Sequence, residues 1–186
     1  MRNRATALLF GLLMLLGTTN GCLGDSSSDQ GSASELFPAL EDPCLSPSLP
    51  VLQEETIIFV GGEERTFRLS VPSSDAGTEL ALIIVFHGGT DSQEDFAQQE
   101  QFDQLGEQEK FIMAYAIADQ DRTAAEGEWY LNTATTSRED NNFSEAIVDE
   151  LSAAYCVDQT RLYAIGYSLG AMFTYEIACQ INHRFA

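Results

Sequence analysis

Over residues 51–186, this 186-residue chain predicts an α/β fold: a mostly parallel sheet with helices on both faces. Three observations predict it. Two β-rich runs at the front are joined by a glycine turn, three later runs are apolar almost throughout, and helical patterns lie between the later runs. A strand that is half solvated alternates apolar with polar residues. A strand covered on both faces does not have to, which is why the later runs read as buried and parallel.

The front pair covers residues 56–60 and 65–71, separated by Gly61-Gly62-Glu63-Glu64. Phe67, Leu69 and Val71 alternate with polar residues, and the glycines supply the positive φ angles of a tight turn, so an antiparallel hairpin is expected, ending at Pro72. The buried runs are 80–86, 111–118 and 162–165. A first helix is expected over 92–105, opened by Ser92 with Asp95 three residues on. A second is expected over 142–155, capped by Asn142, with Phe143, Ile147, Leu151 and Tyr155 recurring every fourth residue. A third begins after Ser168 and carries Met172, Tyr175, Ala178 and Ile181. The chain has no internal repeat.

Composition bounds the function. Apolar residues make up 44% of the chain, enough for a packed core. Acidic residues number 29 against nine basic ones, and Lys110 is the only lysine. A net charge of −20 repels phosphate backbones and anionic lipid heads, which argues against nucleic-acid binding and against a basic membrane-binding patch. The four cysteines, Cys22, Cys44, Cys156 and Cys179, form no C-x-x-C pair, and only His87 and His183 could join them, so no metal site is expected.

The N-terminus sets the compartment. Arg2 and Arg4 precede an apolar run over 7–17 that is too short to span a bilayer, followed by small and polar residues. Residues 1–22 therefore read as an export signal. Thr19-Asn20-Gly21-Cys22 resembles a bacterial lipobox, with Cys22 as the lipidated residue, and a Ser/Asp/Gly-rich tether follows within a polar linker of residues 23–50. The expected location is outside the cytoplasm, either secreted or lipid-anchored at the cell envelope. Disulfides are then allowed. A Cys156–Cys179 bridge is expected, since both cysteines should approach the end of the sheet away from Ser168, with Cys44 an equally available partner.

The chemistry centres on Gly166-Tyr167-Ser168-Leu169-Gly170, which follows the 162–165 strand and precedes a helix. G-x-S-x-G in that setting holds a serine on a sharp turn, its Oγ exposed above the sheet, so Ser168 is the candidate nucleophile. The helix starting there aims unpaired N–H groups at the site, and Leu169 N–H is the first candidate oxyanion donor. The second should come from the loop after an earlier central strand. Phe86-His87-Gly88-Gly89-Thr90 ends such a strand, with Gly89 the preferred donor and Thr90 next. His87 reads as a structural histidine at the loop base. Trp129 and Tyr130 lie beyond the 111–118 strand, where they could either bind an aromatic or sugar group or fill the core.

From about residue 65 to its end, the chain resembles the polyhydroxybutyrate depolymerase and feruloyl/acetyl-xylan esterase family of α/β-hydrolases. The likeness rests on His87-Gly88-Gly89, on residues 129–143, on Cys156-Val157-Asp158-Gln159-Thr160-Arg161-Leu162-Tyr163, and on the elbow with its helix. That family commonly has Gly-x-Ser-Asn-Gly-Gly at the elbow, whereas Leu169 and Ala171 stand here. The resemblance implies the α/β-hydrolase fold and hydrolysis of carboxylic esters through an acyl-serine, with no cofactor. It extends to polymeric substrates, a polyester or a plant polysaccharide ester.

A serine of this kind needs a histidine base and a carboxylate to orient it, following in the order Ser, Asp or Glu, His. Glu176 and His183 are the only candidates after Ser168, and both should lie on the departing helix. At 1.5 Å per residue, His183 would stand roughly 20 Å from Ser168, too far to act as base. The expectation is that residues 51–186 are a partial domain, without its acid, its base and its C-terminal strands. Two alternatives remain at this point: a serine peptidase of the same fold, and a non-catalytic surface lipoprotein that retains the elbow.

Overall fold

The computed structural model describes residues 41–89, 99–119, 129–131 and 138–186. Cys22, Thr90 and the start of the expected first helix lie outside the described residues.

Five strands form one sheet: β1 (Val51–Val60), β2 (Glu63–Val71), β3 (Leu80–Phe86), β4 (Phe111–Ala116) and β5 (Val157–Gly166). Their order is β1-β2-β4-β3-β5. The β1/β2 hairpin is antiparallel, as the glycine turn implies, with Gly61 at φ 64° and Gly62 at φ 93°. β2 also pairs antiparallel with β4, whereas β3 pairs parallel with both β4 and β5. Among the described strands, half of the pairings are therefore parallel.

The helices are α1 (Gln99–Glu109), α2 (Glu139–Ala154) and α3 (Leu169–Gln180). The continuous apolar runs are explained by burial on both faces. Leu82, Ile84 and Phe86 of β3 join the core made with Phe143, Ile147 and Leu151 of α2 and Phe173 and Ile177 of α3. Val85, with Met113 and Tyr115 of β4, packs on the opposite face beside Phe102 of α1.

Two helices differ in detail from expectation. α2 starts three residues before Asn142, whose N–H already donates to Arg138 O at 2.7 Å. Glu139 and Asp140 occupy its first turn, where acidic groups stabilise the positive end of a helix without a side-chain cap. In α3, Met172, Tyr175 and Ala178 face solvent, while Gly170, Phe173, Ile177 and the following Ile181 turn inward. An apolar helix carries little contrast from which to read its buried stripe, and of the four apolar residues named from the sequence only Ile181 is buried.

β5 begins earlier than its apolar run because a polar knot precedes that run. The Asp158 carboxylate accepts from the Thr160 N–H and hydroxyl and from Arg161 Nε, at 2.6–2.8 Å. The Thr160 hydroxyl foremost, then Arg161, hold the Asp158 carboxyl down at about 2. The knot takes up the extra residues where the register shifts against β3 between Leu80 and Leu82.

The expected Cys156–Cys179 bridge is not formed. Cys44 is bonded to Cys156 instead, with Cα atoms 4.6 Å apart, and Cys179 is exposed on α3. Residues 41–50, expected as linker, belong to the folded unit Leu40–Ala186. Ser48 bridges to Ser74 through paired backbone bonds, and Gly77 N–H donates to Cys44 O at 2.8 Å. These contacts carry the short 3₁₀ turn Pro43–Leu45 to the amino end of β3, where Leu80 N–H donates to Cys156 O. The bridge closes a loop across a sequence separation of 112, which in the chain-entropy account stabilises by about 4–5 kcal/mol. Peptide mapping without reductant is expected to recover Cys44 linked to Cys156 with Cys179 alkylated, and Cys44→Ala to lower the unfolding free energy by about 4 kcal/mol. Recovery of a Cys156–Cys179 peptide would contradict this pairing.

Candidate active site at the carboxyl ends of β3 and β5

Because β3 and β5 run parallel, they end side by side, with Phe86 opposite Gly166. Tyr167 N–H donates to Phe86 O at 3.2 Å and extends the contact by one residue. The chain then turns sharply. Ser168 has φ 50° and ψ −117°, a left-handed backbone that costs a non-glycine residue about 1–3 kcal/mol.

Close packing holds that conformation. A Cβ on Gly170 would lie 2.1 Å from Phe86 O and 2.4 Å from His87 O, and one on Gly166 would lie 2.3 Å from Gly170 O. Only glycines let the first turn of α3 rest on the end of β3. Ser168 is exposed, and its hydroxyl makes no capping bond to the helix. Ala171 and Met172 N–H both donate to Ser168 O, whereas Leu169 and Gly170 N–H stand in the first turn, before any intrahelical acceptor. The helix end thus presents partial positive charge beside a free hydroxyl.

The loop after β3 is built around His87, which is buried. Ala118 N–H donates to its Nε2 at 3.1 Å. A backbone N–H can only donate, so Nε2 is the acceptor and the ring proton sits on Nδ1, which reaches Gly88 O at 2.7 Å. Both ring nitrogens are committed to backbone. Gly88 is buried, and Gly89 is partly exposed at the same end of the sheet as Ser168.

Trp129 does not offer a surface to a ligand. It is only 3% exposed. Its ring stacks on Phe173 at 5.2 Å, meets Phe86 edge-on at 5.1 Å, and packs against His87. Its indole N–H donates to His87 O at 2.9 Å. The core reading of this aromatic holds, and the stacking reading is corrected. Tyr130 beside it is 37% exposed.

An ion pair that the sequence reading missed holds this segment. Asp140, in the first turn of α2, accepts from Tyr130 N–H at 2.7 Å and pairs with Arg65 of β2 at 2.9 Å, both charged residues being buried. The Arg65 guanidinium also lies over the Phe143 ring at 4.1 Å. A signal existed: Arg65 has the same strand parity as Phe67, Leu69 and Val71, so it faces the core and needs a partner there.

The remaining candidates stand apart from Ser168. Glu176 lies two turns into α3. His183 follows the end of α3, exposed, with Nε2 3.7 Å from the Glu145 carboxylate of α2. The twelve residues of α3 alone separate it from the elbow by about 18 Å.

No family model matches the chain. A protein named "Putative esterase NocK", from Nocardia uniformis subsp. tsuyamanensis, is 30% identical over 138 residues, covering 69% of this chain and 38% of that protein. An S-formylglutathione hydrolase from Agrobacterium tumefaciens superposes with a TM-score of 0.56 at 14% identity, over 75% of this chain and 59% of that one. A feruloyl esterase module from Clostridium thermocellum, complexed with sinapinate, gives 0.56 at 12% identity, over 81% and 56%. The FrmB S-formylglutathione hydrolase from Staphylococcus aureus gives 0.55 at 13% identity, over 75% and 56%. These likenesses show the α/β-hydrolase fold. The chain spans less than two thirds of the length of each of these proteins.

Proposed function

We propose that the protein is an exported carboxylic-ester hydrolase in which Ser168 is the nucleophile. The observation that carries this reading is the strained, exposed Ser168 held between the N–H groups opening α3 and the His87-Gly88-Gly89 loop. The names of the esterases it resembles in sequence and in fold support it.

In the proposed reaction the Ser168 Oγ attacks the ester carbonyl while its proton passes to a base. The carbonyl oxygen takes up negative charge and accepts from Leu169 N–H and Gly89 N–H, donors fixed before the reaction begins. Collapse expels the alcohol, which takes the proton, and leaves an acyl-serine that water hydrolyses in a second, equivalent step. His87 is occupied with Ala118 and Gly88, and His183 lies far along α3, so neither serves as that base. The activity proposed is that of the whole protein. Its finer substrate class, in this proposal, is a polymeric ester such as a polyester or a feruloylated polysaccharide.

Export is part of the same proposal and is supported by the Cys44–Cys156 bridge, since disulfides persist in oxidising compartments. The bridge fastens the segment around Cys44 to the start of β5.

Hydrolysis of a short-chain p-nitrophenyl ester by the whole protein, with covalent labelling by a fluorophosphonate, tests the enzyme. Ser168→Ala is expected to abolish labelling and to lower the rate by several orders of magnitude while the fold persists. An active, unlabelled wild type would move the nucleophile elsewhere. For the anchor, Cys22→Ser is expected to shift the protein from the membrane to the soluble fraction, and an unlipidated wild-type mass would rule the anchor out.

A further inference from the structure

We propose that Trp129 is a positioning residue for the oxyanion site: its indole holds the His87 carbonyl, in the peptide before the one that carries the Gly89 N–H, and its ring packs on the His87 imidazole that fixes that next peptide. The inference rests on the esterase reading above and adds a residue to its machinery.

The physical basis is the peptide group. A trans peptide is planar, so its C=O and the N–H of the next residue point in opposite directions. Fixing one fixes the other. The Trp129 indole holds His87 O, which directs the Gly88 N–H to the opposite side. The His87 Nδ1–H holds Gly88 O, which does the same for the Gly89 N–H. The His87 ring is itself held by Ala118 N–H and by its contact with the Trp129 ring.

Two consecutive peptides are thus latched by their carbonyls, from the side away from their N–H groups. The latches are needed because the loop carries glycines. Without side chains, the 88–89 peptide has access to both signs of φ on either side, and a flip would turn an oxyanion donor into an acceptor. With no side chains to brace the loop, its rigidity has to come from outside it.

Trp129 is suited to supply it. Its ring is fixed on Phe173 of α3, the helix that starts at the elbow, and its edge contact with Phe86 ties it to the end of β3. The following residue, Tyr130, is held through its N–H by Asp140, itself paired with Arg65. The same indole therefore touches both halves of the site: the helix that carries Leu169 and the loop that carries Gly89.

Trp129→Phe keeps an aromatic ring against Phe173 and Phe86 and removes the N–H. In the whole protein, kcat for a p-nitrophenyl ester is expected to fall between about tenfold and a thousandfold, the upper figure being that for loss of an oxyanion donor outright. KM should stay within about twofold, because the latch acts on the charged intermediate rather than on the bound ester. If Trp129→Phe fails to fold, site-specific replacement of Trp129 by its benzothienyl analogue removes the N–H at constant shape, and the same loss of kcat is expected. The indole ¹H–¹⁵N signal that Trp129→Phe removes should be slow to exchange in the wild type and displaced when Ser168 is phosphonylated. Wild-type kcat in either N–H-free form would overturn the proposal and leave the esterase reading intact. A wild type that neither hydrolyses esters nor labels would overturn both.

Discussion

The structure depends on how closely α3 can approach the end of β3. Gly170 lies where any Cβ would strike two carbonyl oxygens, Phe86 O at 2.1 Å and His87 O at 2.4 Å. That contact forces the chain between β5 and α3 into a turn too tight for ordinary backbone angles, which is why Ser168 carries a positive φ. Strain of this kind persists only when its surroundings over-determine it. Here the parallel pairing of β3 with β5, the Tyr167 bond to Phe86 O and the burial of Phe173 and Ile177 all do so.

The same approach joins two features that chemistry needs together. A helix N-terminus stabilises negative charge only within about its first turn. A donor loop helps only if it ends beside that turn. With β3 and β5 adjacent and parallel, the loop after one and the helix after the other share one end of the sheet, and the remainder of the core holds them in register. The Cys44–Cys156 bridge and the Asp158 knot fasten the opposite end of β5, away from the chemistry.

Much of this was legible in the sequence because its signals are local. The unbroken apolar runs at 80–86 and 111–116 mark strands buried on both faces, Gly61-Gly62 marks the hairpin, and Gly166-Tyr167-Ser168-Leu169-Gly170 between strand and helix marks the elbow. What the sequence hid was long-range partnership. Four cysteines allow several pairings, and only the path of residues 41–50 selects Cys44 for Cys156. Trp129 reads more readily as core than as ligand platform, and only its neighbours decide between the two. Asp140 looks like one acidic residue among many until Arg65 arrives from β2. The buried stripe of α3 was obscured because its apolar residues fall on more than one face.

The central claim is that the α3 N-terminus and the loop after β3 form one preorganised receptor for an oxyanion on Ser168. A crystal structure of the protein phosphonylated at Ser168 tests it most directly. The account predicts the phosphoryl oxygen within about 3 Å of both Leu169 N and Gly89 N, with the Ser168 backbone and the Trp129–His87 bond unchanged. A phosphoryl oxygen directed to solvent, or a loop whose carbonyls face that oxygen, would contradict it.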